Sequence, residues 1–186
     1  MKKLFLLKII MIFLFVDSNC QIRNTTWGNN KTQVKQIEGN KKPIEETSES
    51  LLFKDDINGD EFLIDYEFID NRLVTIAYIY NEKHTNPNLY LEKYNEYVEI
   101  LNNKYVKDRE EINWSNDLFK DDPKSWGTAI SIGHLKMKYY GQSVNTTVGI
   151  VIMGDNYETI LGIVFTDLKS VDLKRQKIQQ EKTLKF

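Results

Sequence analysis

The sequence predicts an α+β fold in which antiparallel β-sheet is packed by one main helix and one short N-terminal helix. Three observations carry this. From Leu51 to Tyr80 apolar residues recur at a spacing of two, with turn signals between the runs, as half-buried antiparallel strands require. From Leu89 to Tyr105 they recur at three and four, the spacing of a helix with one buried stripe. From Thr128 to Thr166 the alternation returns, with turn signals at Gly141-Gln142 and Gly154-Asp155-Asn156. Helix-then-strands thus occurs twice, an order that permits a duplicated unit.

The chain opens with Met1-Lys2-Lys3, a run from Leu4 to Val16 that is apolar except for Lys8, and then Asp17-Ser18-Asn19-Cys20. A basic start before a short apolar run is an export signal, since a permanent span needs roughly 20 apolar residues. Two fates compete for Cys20, the only cysteine. Signal peptidase cleavage after Cys20 fits the small residues Ser18 and Cys20 and would leave Gln21 as the first residue. Acylation of Cys20 would instead make a lipoprotein held to a membrane by its lipid, although Asp17-Ser18-Asn19 is a poor lipobox. An uncleaved N-terminal anchor ranks third. The expected divisions are a signal peptide over 1–20, a short helix and linker over 21–50, an α+β domain over 51–168 and a charged tail over 169–186.

Lys2, Lys3, Lys8 and Asp17 leave with the signal, which turns the formal charge of the whole chain, −2, into −4. A nucleic-acid groove needs clustered Lys and Arg to displace counterions, whereas here both signs are interspersed, so no nucleic-acid partner is expected. Ten Tyr and nine Phe are the content of a folded protein with one sizeable core.

The short helix is expected over Thr32 to Glu38, with Val34 and Ile37 on one face, Asn30 as N-cap, Gln33 completing a capping box and Gly39 as the stop. Pro43 and the run Glu45 to Ser50 then read as linker. Leu51 and Phe53 begin a strand that turns at 55–60, where Asn58-Gly59 is a strong hairpin signal. The next strand carries Phe62, Ile64, Tyr66 and Phe68 on one face. After Asp70-Asn71 the third strand places Leu73, Thr75, Ala77 and Ile79 on one face and Val74, Ile76, Tyr78 and Tyr80 on the other. The main helix starts at Asn86-Pro87 and runs to about Tyr105. Residues 106–125 are polar and read as a loop anchored by Trp114, Leu118 and Phe119. Strands then follow at Thr128 to Ile132, Leu135 to Tyr140, Thr146 to Met153 and Thr159 to Thr166.

The chemistry on offer is thin. Asp56, Asn58 and Asp60 alternate like calcium-loop ligands but fail the EF-hand pattern, and they read as a solvated hairpin turn. His84 and His134 have no metal-pair spacing, and no metal or other cofactor is expected. With no thiol outside Cys20, no Gly-x-Ser-x-Gly elbow, no Ser-x-x-Lys and no phosphate-binding glycine loop, nothing supports catalysis. The one candidate ligand site is the acidic loop of Asp117, Asp121 and Asp122 between Trp114 and Trp126, because carboxylates beside aromatics suit sugars or acid/base work. Carboxylates so close in one loop more often simply solvate it, and the aromatics more often pin it onto the core.

The stretch Trp27-Gly28-Asn29-Asn30-Lys31-Thr32-Gln33-Val34, with Gly39, Pro43 and Tyr66-Glu67-Phe68-Ile69-Asp70-Asn71, resembles the SmpA/OmlA family of small bacterial outer-membrane lipoproteins, the BamE component of β-barrel assembly. Asn29 stands where that family has Met, Pro43 comes two residues late, and the match spans about a third of the chain. The whole layout, with Asp121-Asp122-Pro123 and Ile132-Gly133-His134-Leu135, resembles more closely a group of uncharacterised exported bacterial proteins. The same helix-plus-sheet unit occurs twice in the secreted β-lactamase inhibitor proteins. These resemblances imply a non-enzymatic protein of the periplasm or outer envelope. It would act by protein binding, as an assembly factor or an inhibitor-like module, through Tyr- and Trp-bearing surface offered to an envelope or secreted partner. The alternative is a carbohydrate or small-ligand binder using Trp114, Trp126 and the acidic loop, and a hydrolase using those carboxylates is third.

Overall fold

The computed structural model describes residues 22–173 and 175–176. Residues 1–20, expected as an export signal ending at Cys20, and the end of the expected tail lie outside the described residues. The protein is an α+β fold built on one eight-stranded antiparallel sheet. In chain order the elements are α1 (Lys31–Ile37), β1 (Glu45–Glu46), β2 (Ser50–Ile57), β3 (Asp60–Ile69), β4 (Arg72–Tyr80), α2 (Asn88–Asn102), β5 (Val106–Trp114), α3 (Trp126–Ser131), β6 (Leu135–Gln142), β7 (Thr146–Asp155) and β8 (Glu158–Asp167). Across the sheet the order is β1-β2-β3-β4-β8-β7-β6-β5. The two expected sets of strands are therefore one sheet, joined where β4 pairs with β8 from Thr75↔Thr166 to Ile79↔Gly162.

α1 forms as its caps dictate. Gln33 donates its backbone N–H to the Asn30 side chain at 2.9 Å, and Asn30 donates its own to the Gln33 side chain at 2.8 Å, closing the capping box. Asn58 and Gly59 both take positive φ, 56° and 90°, and make the two-residue turn between β2 and β3. Asp55 and Asp56, expected in the turn, lie in β2.

The linker is more ordered than its polarity suggests. β1 pairs with β2, and Trp27 donates its indole N–H to the Thr146 hydroxyl at 2.8 Å, which ties the N-terminal segment to the far half of the sheet. The expected face assignment of Leu73 is wrong. A β-bulge shifts the register between Glu67 and Phe68, so Leu73 pairs with Phe68 and joins the core face.

Two elements differ in type from expectation. Residues 106–114, expected in the loop, form β5, which pairs along its length with β6. Lys107 to Glu111 at the centre of β5 are all charged, and on an edge strand exposed charge discourages pairing with other chains. Residues 128–132, expected as a strand, fall largely in α3, a six-residue helix packed against α2. Its seat depends on Gly127, whose N–H donates to the Asn88 side chain at 2.9 Å, and where a Cβ would sit 2.5 Å from the Asn88 backbone nitrogen. α2 ends at Asn102, three residues short of Tyr105.

The core lies on one face of the sheet. Phe62, Ile64 and Tyr66 of β3, Met137 and Tyr139 of β6, Val148, Ile150 and Ile152 of β7 and Leu161, Ile163 and Phe165 of β8 meet Tyr90, Tyr94, Tyr97 and Leu101 of α2 there. The tail, expected to be solvated from residue 169, begins packed: Ser170 is buried and donates to Asp167 at 2.6 Å in a short 3-10 turn over Leu168–Ser170.

Candidate functional site

Strand alternation decides what the other face of the sheet presents. Opposite the core, β4 shows Ala77 and Ile79, β8 shows Ile160, Gly162 and Val164, and β7 shows Gly149, Val151 and Met153. These three neighbouring strands form an uncharged strip. Ile79, Ile160 and Val164 remain 38%, 50% and 37% exposed. Exposed apolar side chains are ordinary when isolated, and here they stand side by side on neighbouring strands.

Charge borders the strip asymmetrically. On the β2–β3 side the same face carries Glu61, Asp65 and Glu67, with Lys54 bonded to Glu61 at 2.7 Å. On the β6–β5 side it carries Lys136, Lys138 and Arg109, with Glu111 bonded to Lys138 at 3.0 Å. Arg109 lies over the Tyr140 ring, 3.9 Å from its centroid. At the Thr166 end the C-terminal turn rises beside the strip, and a groove of about 420 Å³ opens there among Arg109, Tyr140, Gly149, Val164, Val171 and Arg175.

The expected site falls out differently. Trp114, at the end of β5, and Trp126, at the start of α3, do come together, edge to face at 5.6 Å, but both pack on the core. The Trp126 indole N–H donates to the Lys120 carbonyl at 3.2 Å. Asp122 accepts from the Ser125 hydroxyl at 2.6 Å and Asp117 pairs with Lys120 at 3.1 Å, while Asp121 is exposed. The tryptophans thus pin the loop, and two of its three carboxylates are used within it.

The tyrosines also go elsewhere than expected. Tyr66, Tyr78, Tyr80, Tyr90, Tyr94, Tyr97, Tyr105 and Tyr139 are buried. Each stands on the core-facing alternation of a strand or beside the stripe of α2, so the sheet's open face shows only Tyr140. Burial pushes the Tyr78 hydroxyl up to about 12.

Two further polar clusters belong to the covered face. Glu38, at the end of α1, accepts a bidentate bond from Arg23 at 2.5 and 2.9 Å and a bond from the Tyr66 hydroxyl. Arg23 also bonds Asp55, which pairs with Lys41 at 2.5 Å. Burial raises the Glu38 pKa, but the bonds from Arg23 and Tyr66 outweigh it and leave the carboxyl below its ordinary range. Asp60 accepts from the Tyr97 hydroxyl at 2.5 Å and from Lys93 at 2.9 Å. Beside it Phe62, Tyr78, Tyr97, Ile100, Ile163 and Phe165 line an apolar cleft of about 180 Å³. His84 accepts from or donates to the Tyr80 hydroxyl at 2.8 Å and packs against Tyr90.

Compared with protein-family models, with curated proteins and with solved structures, the chain matches none of them. The open face is the feature that sequence reasoning missed. Its signal was present in β4, whose alternation is apolar on both faces where a strand with one wet face would be polar on one.

Proposed function

We propose that the protein is an exported, non-enzymatic binding module whose working surface is the open face of the sheet. The carrying observation is the uncharged strip of β4, β8 and β7 between an acidic and a basic flank. Such a surface suits a protein: the apolar centre supplies desolvation energy and the opposed flanks set orientation. The export address rests on the basic start and apolar run of residues 1–20, and attachment through Cys20 is the lipoprotein form of the same reading. A duplicated helix-plus-strands unit accompanies this proposal. It is supported by the order α1, β1 to β4 and then α2, β5 to β8, with the two runs meeting last strand to last strand.

A photo-crosslinking residue placed at Ile79 in the exporting cell tests the proposal. An adduct to a protein at position 79, and none from the same residue placed at Asp121, is the expected result. Equal labelling at both positions, or none at 79, would sink it. The small-ligand alternative is better served by the cleft beside Asp60 than by the tryptophan loop, since the cleft offers concave apolar surface that the loop spends on its own packing.

A further inference from the structure

Resting on that reading, the geometry points to the occupant: a second copy of this chain, docked face to face about a two-fold axis along β8. β1 is two residues long, and the remaining seven strands stand as β2-β3-β4, then β8, then β7-β6-β5. β8 is thus the middle strand, with three on either side. A two-fold along it lays β4 over the other copy's β7, β3 over β6 and β2 over β5, and sets β8 on itself.

The side chains match under that operation. Register places Lys54, Leu63, Ile79, Gly162, Val151 and Lys138 in one row across the sheet, ending at Glu111. Rotation about β8 leaves the row in place and reverses it, so Lys54 meets Glu111, Lys138 lies over Leu63, and Ile79, Gly162 and Val151 at the centre meet one another. One step along the strands the same rotation brings Glu61 of one copy over Lys136 of the other. Each contact occurs twice, as an isologous interface requires. The other two-fold that keeps the strands aligned, across them along the same row, would lay β3 on the other copy's β3 with Glu61 facing Asp65, and like charges so placed repel. The charge pattern therefore selects one axis of the two.

Size agrees. Seven strands at about 4.8 Å and four rows of outward side chains give roughly 700 Å² per copy, near the roughly 800 Å² of a standard protein interface. Gly162 and Gly149 sit on and beside the axis, where side chains from both copies would otherwise meet, and the C-terminal turn beside Val164 and Thr166 bounds the contact at that end.

Sedimentation velocity of the full chain, in mild detergent so that residues 1–20 do not drive association, tests the inference. A dimer at tens of micromolar or below is expected. Val164→Lys should abolish it, and Glu61→Lys or Lys136→Glu alone should weaken it by at least about tenfold. The double exchange Glu61→Lys with Lys136→Glu should recover most of that loss, which simple misfolding of either variant would not. A monomer at all concentrations, or a double exchange no better than the singles, overturns the second copy as occupant. The crosslink at Ile79 separates the two claims. An adduct of twice the chain mass supports both, an adduct to a different protein keeps the open face and rejects the second copy, and no adduct rejects both.

Discussion

α1 over the first strands and α2 over the last ones do the same job by different means. α1 is seven residues long and buries only Val34, while α2 runs fifteen residues and buries Tyr90, Tyr94, Tyr97 and Leu101. What α1 lacks in apolar contact is supplied by charge. Glu38 at its end, with a side chain 2% exposed, is held by Arg23 and Tyr66, and Arg23 reaches on to Asp55 of β2. A short helix cannot bury enough surface to dock by itself, so the N-terminal segment and a buried ion pair complete the seat. The first half should therefore answer to pH and the second to packing.

The largest effect is expected from α2. Tyr94→Ala removes a side chain 1% exposed and should cost about 3 to 5 kcal/mol, read as a lowered urea midpoint at unchanged slope. Glu38→Gln comes next, at about 3 kcal/mol at neutral pH, because it leaves Arg23 without its main partner. Here the pH dependence sharpens the contrast. The folded Glu38 carboxyl lies below its ordinary range, so its stabilisation is present above the unfolded value of about 4.3 and is lost as pH falls through the folded one. Denaturation of wild type and Glu38→Gln should converge in acid, whereas the Tyr94→Ala deficit should persist. If Glu38→Gln instead keeps its full deficit at low pH, the ionic account of the first half is wrong.

Gly127→Ala probes the α2–α3 contact and should cost about 1 to 3 kcal/mol, since the new Cβ must displace backbone at Asn88. Asn30→Ala removes the cap of α1 and should cost about 1 kcal/mol. Hydrogen exchange would show whether that loss frees the amides of α1 alone or reaches β2. Exchange confined to α1 would mean that the ionic seat, not the helix, holds the first half.

Local signals in the sequence were enough for α1, with both members of its capping box, for the Asn58-Gly59 turn and for the alternation of β3, β7 and β8. What escaped was set by partners. β5 has no alternation to read, because its charged side chains line an edge and its place comes from pairing with β6. α3 is six residues rich in residues equally at home in strands, and Asn88 and the floor of β7 decide its conformation. The bulge that moves Leu73 inward lies in a run with no glycine to announce it. The site was hidden for a related reason. Alternation says which residues share a face of a strand, but only the placement of the helices says which face they cover, and the tyrosines credited to the surface were on the covered one.

The position of β8 also bears on the order in which the molecule can assemble. Among the described strands it is the last in sequence yet lies inside the sheet, and Thr75 to Ile79 of β4, already paired with β3 on one side, find their second partner only in Gly162 to Thr166. Until β8 arrives, β4 and β7 each present an unpaired apolar edge, and the sheet cannot close. Contacts this distant in sequence make folding slow, on the order of milliseconds to seconds. Lateness has a physical consequence: a domain unable to close before β8 is complete stays open along the β4 and β7 edges, and so threadable, for as long as that strand is unmade.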